Sequence, residues 1–316
     1  MSNKHILITG AGGFVGTHLI KELQQNPSCE LYVTIYNATS DISPLIPKDH
    51  VLAGDLTDYA FAQKLIQTTK PDIIYHLAAL SIVHDSVEKA VSVITSNTVI
   101  SYNLLEAVRN YASTARVIAI CSANQYGAVQ DATKPIDEST PLRPLNPYAV
   151  SKVVQEMLAL EYFLAYHLDI VILRPFNHTG PGQTIDFVIP ALAKQFVDIE
   201  HGAVPEIILG NLNTTRDFTD VSDMVKAYVL ASEKCLSGEI YNLGSGQGYT
   251  IAQIVEIFQK ITGQKVQLKE DPALVRESDV PILIANSAKF RQATGWEPKV
   301  SLETTISAIL DYWRTK

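Results

Sequence analysis

His5-Ile6-Leu7-Ile8-Thr9-Gly10-Ala11-Gly12-Gly13-Phe14-Val15-Gly16 lies close to the start of the chain, and its reading decides the fold. An apolar run of strand length meets a glycine turn, and a helical pattern follows over residues 14–25. The glycines fall at 10, 13 and 16, a G-x-x-G-x-x-G spacing instead of G-x-G-x-x-G. Their physical roles differ. One makes the tight turn, one lets a pyrophosphate approach the backbone at a helix N-terminus, and one lets helix and strand pack closely. A glycine turn can also arise from packing alone. The strand-turn-helix context is what makes this one a candidate dinucleotide site.

Outward from that turn, short apolar runs at residues 5–9, 31–35, 50–52, 72–76, 116–121 and 169–173 alternate with amphipathic stretches at 14–25, 59–68, 91–109 and 148–166. Strands alternating with helices of this length predict βαβ units, and hence a doubly wound α/β fold on a parallel sheet. After residue 173 the rhythm changes to Arg174-Pro175-Phe176-Asn177-His178-Thr179-Gly180-Pro181-Gly182-Gln183, with a helical segment at 187–198 beyond it. The expected division is a Rossmann domain over 1–173, rejoined by 216–243, and a smaller α/β domain over 174–215 and 244–316. Within the returning part, 219–231 has helical spacing and 239–243 reads as a strand.

Composition narrows the class further. The 316 residues are 47% hydrophobic and 18% charged, which excludes a disordered or collagen-like chain. A net charge of −8 argues against a nucleic-acid partner. No apolar stretch approaches the ~20 residues of a membrane helix, and the N-terminus runs directly into the glycine turn without a cleavage-site pattern, so a cytoplasmic protein is expected. Cys29, Cys121 and Cys235 are odd in number and far apart, and the eight histidines lack metal-ligand spacing, so neither disulfide nor metal is expected.

Tyr148-Ala149-Val150-Ser151-Lys152 puts a phenol and an ammonium four residues apart, on one face of a helix. A phenol with an ordinary pKa of about 10 serves as an acid or base near neutrality only if a cation stabilises its phenolate, and Lys152 is placed to do so. Ser122 falls at the C-terminal end of the fifth strand, the side on which doubly wound sheets bind ligands.

Thr9-Gly10-x-x-Gly13-x-x-Gly16, Ser122 and Tyr148-x-x-x-Lys152 together resemble the extended short-chain dehydrogenases/reductases, the NAD-dependent epimerase/dehydratase family, over essentially the whole chain. The resemblance implies an N-terminal Rossmann domain with a C-terminal sugar-nucleotide domain, Tyr148 as acid or base, Lys152 on the nicotinamide ribose and Ser122 on the sugar oxygen. It also implies NAD(P)H contacts from Gly10, Gly12, Gly13, Phe14, Val15 and Gly16, and from Tyr36 and Asn37 after the second strand. Asp55 and Leu56 are assigned to the adenine, although Asp55 reads equally well as a turn or cap residue. Leu77, Ala78, Ala79, Ser81 and His178 complete the cofactor set. Two helices, 91–109 and 148–166, are implied as a homodimer face.

In the second half, the 174–183 stretch, Gly210-Asn211-Leu212, Arg216-Asp217-Phe218-Thr219-Asp220-Val221 and Arg276-Glu277-Ser278-Asp279-Val280-Pro281 resemble the GDP-4-keto-6-deoxy-D-mannose reductases, relatives of GDP-mannose 4,6-dehydratase. Arg216 and Arg276 suit a bidentate clamp on a diphosphate, and the Asn177 amide suits phosphate or sugar. Asn124, Val188, Asn211 and Asp279 complete the expected substrate contacts. For Arg216 the alternative is an ion pair with the adjacent Asp217.

One position departs from the dehydratases, which carry a carboxylate two residues after the serine or threonine to take the proton from sugar C5. Here Ser122-Ala123-Asn124 offers an amide, which is no base near neutral pH. The expectation is therefore a reductase supplied by a separate 4,6-dehydratase. The resembling reductases often keep an acid at that position as well, so Asn124 departs from them too; a UDP-sugar 4-epimerase, which lacks an acid there, is therefore the alternative, and a non-catalytic NAD(P) sensor a third reading. Ile35-Tyr36-Asn37-Ala38-Thr39-Ser40 has neither the acid that marks NAD enzymes nor the arginine that marks NADP enzymes, so the choice of NADH or NADPH stays open.

Overall fold

The computed structural model describes residues 4–36, 41–81, 89–129, 134–271 and 280–316. Six strands of the first half, β1 (Lys4–Thr9), β2 (Cys29–Ile35), β3 (Val51–Ala53), β4 (Ile73–His76), β5 (Arg116–Ile120) and β6 (Asp169–Pro175), are joined by a late one, β10 (Ile240–Leu243). They pair in parallel in the order β3-β2-β1-β4-β5-β6-β10. The strands are buried on both faces: Ile8, Tyr75, Ile118 and Val171 pack into one apolar layer, while Leu7, Ile74, Val117 and Ile170 pack into the other. This is the doubly wound α/β sheet expected from the alternating runs.

Helices cover both faces. On one side lie α1 (Phe14–Leu23) and α6 (Val221–Lys234); on the other lie α2 (Tyr59–Thr69), α3 (Ala90–Tyr111) and α4 (Pro147–Tyr166). Local chemistry sets their starts. Asp58 accepts from Ala60 N–H at 2.9 Å ahead of α2, and Asn146 accepts from Ala149 N–H at 2.8 Å ahead of α4, where Pro147 takes the first position. Several boundaries shift by one or two residues from the sequence pattern, and two of the shifts have a clear local cause. Residues 48–50 form a 3-10 turn, so the third strand begins at Val51. The helix expected from 219 begins at Val221, because Thr219 and Asp220 end strand β9 (Thr215–Asp220) and the Asp220 carboxylate caps α6 through Ser222 N–H at 2.7 Å.

After β6 the chain builds smaller sheets. Strand β9 pairs with β7 (Asn177–Thr179), β11 (Gly248–Thr250) and β13 (Ile282–Leu283), and β8 (Glu206–Leu209) pairs with β12 (Gln267–Glu270). Helices α5 (Val188–Glu200), α7 (Ile251–Thr262) and α9 (Leu302–Arg314) share a separate core in which Phe196 stacks on Phe258. The short α8 (Ala288–Thr294) instead packs Phe290 against the large sheet.

Candidate active site

The order of the large sheet reverses at β1 and β4, whose crossovers leave in opposite directions, and the space beyond the C-terminal ends of such a pair is where doubly wound sheets bind ligands. The glycine turn forms one wall. Gly10 has φ +70°, and a Cβ there would lie 2.8 Å from the Ala78 backbone; a Cβ on Gly16 would lie 2.5 Å from Ala11 O. Gly13 is different. Its Cβ would meet Gly10 O at 3.3 Å and nothing closer, a tight contact but a milder one than at Gly10 or Gly16, so packing demands glycine less there. Gly13 stands at the cap position of α1 with no side-chain cap, and the first turn holds no acidic residue. The Gly13 N–H donates to Gly10 O at 3.1 Å, so the N–H groups of Phe14 and Val15 at the helix start are the ones placed to receive an anion.

The opposite wall is tied down by buried polar contacts. Thr9 Oγ1 accepts from Ala78 N–H at 3.1 Å and lies 2.9 Å from His76 Nδ1, whose Nε2 lies 3.2 Å from Ser101 Oγ. Burial holds His76 at a pKa of about 3, so the ring is neutral. Asn97, which the sequence reading did not single out, accepts from Leu80 N–H at 2.8 Å and donates to Leu80 O and to Ser151 Oγ. It thereby joins the segment holding half-buried Leu77, Ala78 and Ala79 and exposed Ser81 to the helix of Tyr148 and Lys152. Tyr36 is 62% exposed at the end of β2. Asp55 uses Oδ1 in a turn to Thr57 N–H, with Leu56 buried beside it. Asn37 lies outside the described residues. The close glycine turn and the uncapped helix start fit the pyrophosphate of a nicotinamide dinucleotide.

Ser122 is the cap residue of a 3-10 turn, Ala123–Tyr126, directly after β5. Its hydroxyl accepts from Asn124 N–H at 3.2 Å and lies beside the Tyr148 phenol of α4. Loss of water pushes the half-buried Tyr148 phenol up to about 12, and the Ser122 contact works against that rise. Lys152, one turn along α4, is 3% exposed and is drawn down to about 8 by burial. Its Nζ donates to Ile120 O and to Gln155 Oε1, both at 2.8 Å, and lies 5.9 Å from the centre of the Tyr148 ring. The structure thus brings together the three residues singled out as catalytic.

Behind them lies a buried network the sequence reading missed. Gln125 Nε2 donates to Glu156 at 2.9 Å, and Arg174 grips both oxygens of Glu156, at 2.8 and 2.6 Å. Arg174 also donates to the Tyr126 hydroxyl at 2.8 Å, which in turn donates to Asn242. The available signal was register: Tyr148, Lys152 and Glu156 follow one another at four-residue steps on one helix face.

The substrate-side residues are more dispersed. Asn124 is half-buried beside Ser122, and Asn177 is half-buried in β7. His178 Nδ1 lies 3.0 Å from Phe176 O, and its ring stacks on Phe14 with the planes 8° apart, which links the 174–183 segment to the glycine turn. Val188 opens α5 and packs against the smaller core. Asn211 Oδ1 accepts from Asn213 N–H in a local turn. Arg216 donates from Nη1 to Val280 O at 2.6 Å. The carboxylate of Asp217 is instead taken by Ser245, Gly246 and Ala285. Arg276 and Asp279 lie outside the described residues. Among the described residues, no group of His, Cys, Asp and Glu is placed to hold a metal ion, and no helix is long and apolar enough to cross a membrane.

The model of the GDP-mannose 4,6-dehydratase family matches residues 7–309. The GDP-6-deoxy-D-mannose reductase of Pseudomonas aeruginosa is 28% identical over 314 residues, covering 99% of this chain and 98% of the relative. Among solved structures, RMD from Pseudomonas aeruginosa complexed with NADPH superposes with a TM-score of 0.87 at 28% identity, covering 99% of both chains. The UDP-glucose 4-epimerase of Thermus thermophilus in complex with NAD gives a TM-score of 0.86 at 27% identity, covering 98% of both.

Proposed function

Because the chain belongs to the GDP-mannose 4,6-dehydratase family of sugar-nucleotide enzymes, we propose that it is a reductase of GDP-4-keto-6-deoxy-D-mannose that forms GDP-D-rhamnose at the expense of NAD(P)H. The observation that carries this reading is that Ser122, Tyr148 and Lys152 stand together, as acid chemistry at a C4 carbonyl would need, while the place for a C5 base holds Asn124. The nearest carboxylate of the network, Glu156, is fully buried and engaged by Arg174 and Gln125, so it is no substitute base.

In this account the bound nicotinamide supplies a hydride to C4. Tyr148 gives its proton to the developing alkoxide, and the Ser122 hydroxyl holds the same oxygen. Lys152, with the positive charge that burial makes costly, offsets the negative charge left on Tyr148. Positioned proton donors of this kind are worth roughly 10²–10⁴ in rate. Gly10, Gly12, Gly13, Phe14, Val15 and Gly16 would hold the pyrophosphate, and Asn177, Arg216 and Arg276 the GDP diphosphate. The division of labour follows the architecture: the large sheet takes the cofactor, and the smaller sheets, whose strand β9 carries Arg216, take the sugar nucleotide with their helices. Tyr102, Met157 and Leu164 are exposed on α3 and α4 and support a homodimer through those helices.

A 4-epimerase would use the same three residues, and the likeness to UDP-glucose 4-epimerases favours it as the second reading. The two differ in how the nicotinamide is handled. A reductase consumes reduced cofactor stoichiometrically with the keto sugar, whereas an epimerase retains its cofactor through purification and consumes none.

A further inference from the structure

Ser122 and Tyr148 come from different elements: the serine from the turn after β5, the tyrosine from the first turn of α4. The reach between hydroxyl and phenol is therefore set by how that turn docks on that helix. Gln125 sits at the docking point and is wholly buried. Its Oε1 accepts from the Ser122 main-chain N–H at 3.0 Å, and its Nε2 donates to Glu156 Oε2 at 2.9 Å. The amide cannot be turned around, because its oxygen must face a donor and its nitrogen a carboxylate.

The far end of this bridge is rigid. Glu156 is fully buried two turns beyond Tyr148, and Arg174 from β6 holds both its oxygens. Arg174 is braced in turn by Tyr126, whose hydroxyl donates at 2.7 Å to Asn242 on β10. The bridge thus runs from the Ser122 peptide to a point fixed by α4, β6 and β10. A buried ion pair with its attached amide often stabilises a fold no better than apolar side chains of similar volume. What apolar side chains could not provide is the acceptor that fixes the Ser122 peptide.

We propose that Gln125 is a positioning residue: its side-chain amide ties the Ser122 backbone to Glu156 and so holds the Ser122 hydroxyl within reach of the Tyr148 phenol. The effect on turnover rests on the reading that Ser122 and Tyr148 act together on the sugar C4 oxygen. The effect on the Ser122 peptide does not. Without the amide, the peptide loses its acceptor while the Glu156–Arg174 pair keeps both its bonds, so the loss is local. Small displacements of reacting groups are costly, of the order of 10²-fold for about 1 Å.

The test is the full-length Gln125→Met variant, which keeps the volume and removes both polar atoms. Amide hydrogen exchange at Ser122 should rise by about tenfold or more relative to wild type, with the amides inside β5 unchanged, as expected for a local opening. With GDP-4-keto-6-deoxy-D-mannose and reduced cofactor, kcat should fall by about 10- to 100-fold with KM nearly constant, because orientation and not binding is lost. If that variant does not fold, Gln125→Asn takes its place: it keeps an amide but is one methylene too short to span both partners, and the same changes are expected. Exchange at Ser122 that stays at the wild-type level, or a kcat that stays there, overturns the proposal. A wild-type protein that does not reduce the keto sugar contradicts the proposed function, and Ser122 exchange then decides the positioning role alone.

Discussion

Glu156 stands one helical turn past Lys152 and two past Tyr148, and the Arg174 guanidinium closes on both its oxygens at 2.8 and 2.6 Å. The pair is buried on both sides, at 0% and 3% exposure, so neither charge has water to fall back on. Removing the carboxylate strands a buried cation. Glu156→Gln should lower unfolding stability by about 3–5 kcal/mol, measured by denaturant titration. The double variant Glu156→Leu with Arg174→Met should be less destabilised than Glu156→Gln alone. A single variant as stable as wild type would show that the pair is dispensable.

Tyr148→Phe keeps the ring and removes the proton. Cofactor affinity and melting temperature should stay near wild type while turnover of the keto sugar falls by roughly 10²–10⁴. A variant retaining more than about a tenth of the wild-type rate, a barrier change below about 1.4 kcal/mol, removes Tyr148 from the role of acid.

Lys152 trades stability for function. Burial draws its pKa from an ordinary 10.5 to about 8, a burial cost of about 3 kcal/mol at 1.36 kcal/mol per pH unit. At pH 7 the ammonium is charged in both folded and unfolded chains, so the cost is present in full. Between pH 8 and 10.5 the folded chain has released the proton and the unfolded chain has not, so stability rises with pH across that window. Lys152→Met should accordingly be inactive yet more stable at pH 7 by roughly 1–3 kcal/mol once the lost hydrogen bonds to Ile120 and Gln155 are counted. That gain should fade as pH rises from 8 to 10.5. Denaturant titrations at pH 7 and pH 10 check it; a gain that grows with pH contradicts the assignment.

The glycine turn separates packing from binding. Gly10→Ala and Gly16→Ala bring a methyl within 2.8 and 2.5 Å of backbone atoms, and each should destabilise the fold by about 1–3 kcal/mol, more at Gly10 because of its positive φ. Gly13→Ala meets its nearest protein atom at 3.3 Å. It should lose less stability than either and bind NAD(P)H more weakly, as read by calorimetry. Equal loss of stability in all three variants would mean that Gly13 serves packing alone.

The doubly wound sheet was legible because its signals are local: apolar runs of strand length, a glycine turn at the first helix, and caps such as Asp58 and Asn146. Tyr148 and Lys152 were legible for the same reason, since helical spacing alone puts them on one face. Asn97, Gln125 and Glu156 were not, because their roles exist only through partners 17 to 54 residues away for Asn97 and 31 for the Gln125–Glu156 pair. Asn211 and Asp55 carry both readings: each is expected as a ligand contact, and each closes a tight turn with its own side chain, to Asn213 and Thr57. The start of α6 was misplaced because Thr219 and Asp220 carry helical spacing while their main chain pairs with β7, and pairing outweighs pattern over two residues.

Dehydration turns on what Asn124 cannot do. Loss of water across C5 and C6 of a 4-keto sugar needs a base for the C5 proton, and the Tyr148 oxygen is already assigned to C4. Asn124 can hydrogen-bond a sugar hydroxyl but cannot take a proton near neutral pH. Reduction needs no such base. The direct measurement is product analysis of two incubations of the purified protein, one with GDP-mannose and oxidised cofactor, the other with GDP-4-keto-6-deoxy-D-mannose and reduced cofactor. The reductase reading predicts no keto sugar from the first and complete conversion to GDP-D-rhamnose in the second. Formation of the keto sugar from GDP-mannose by this protein alone would contradict it.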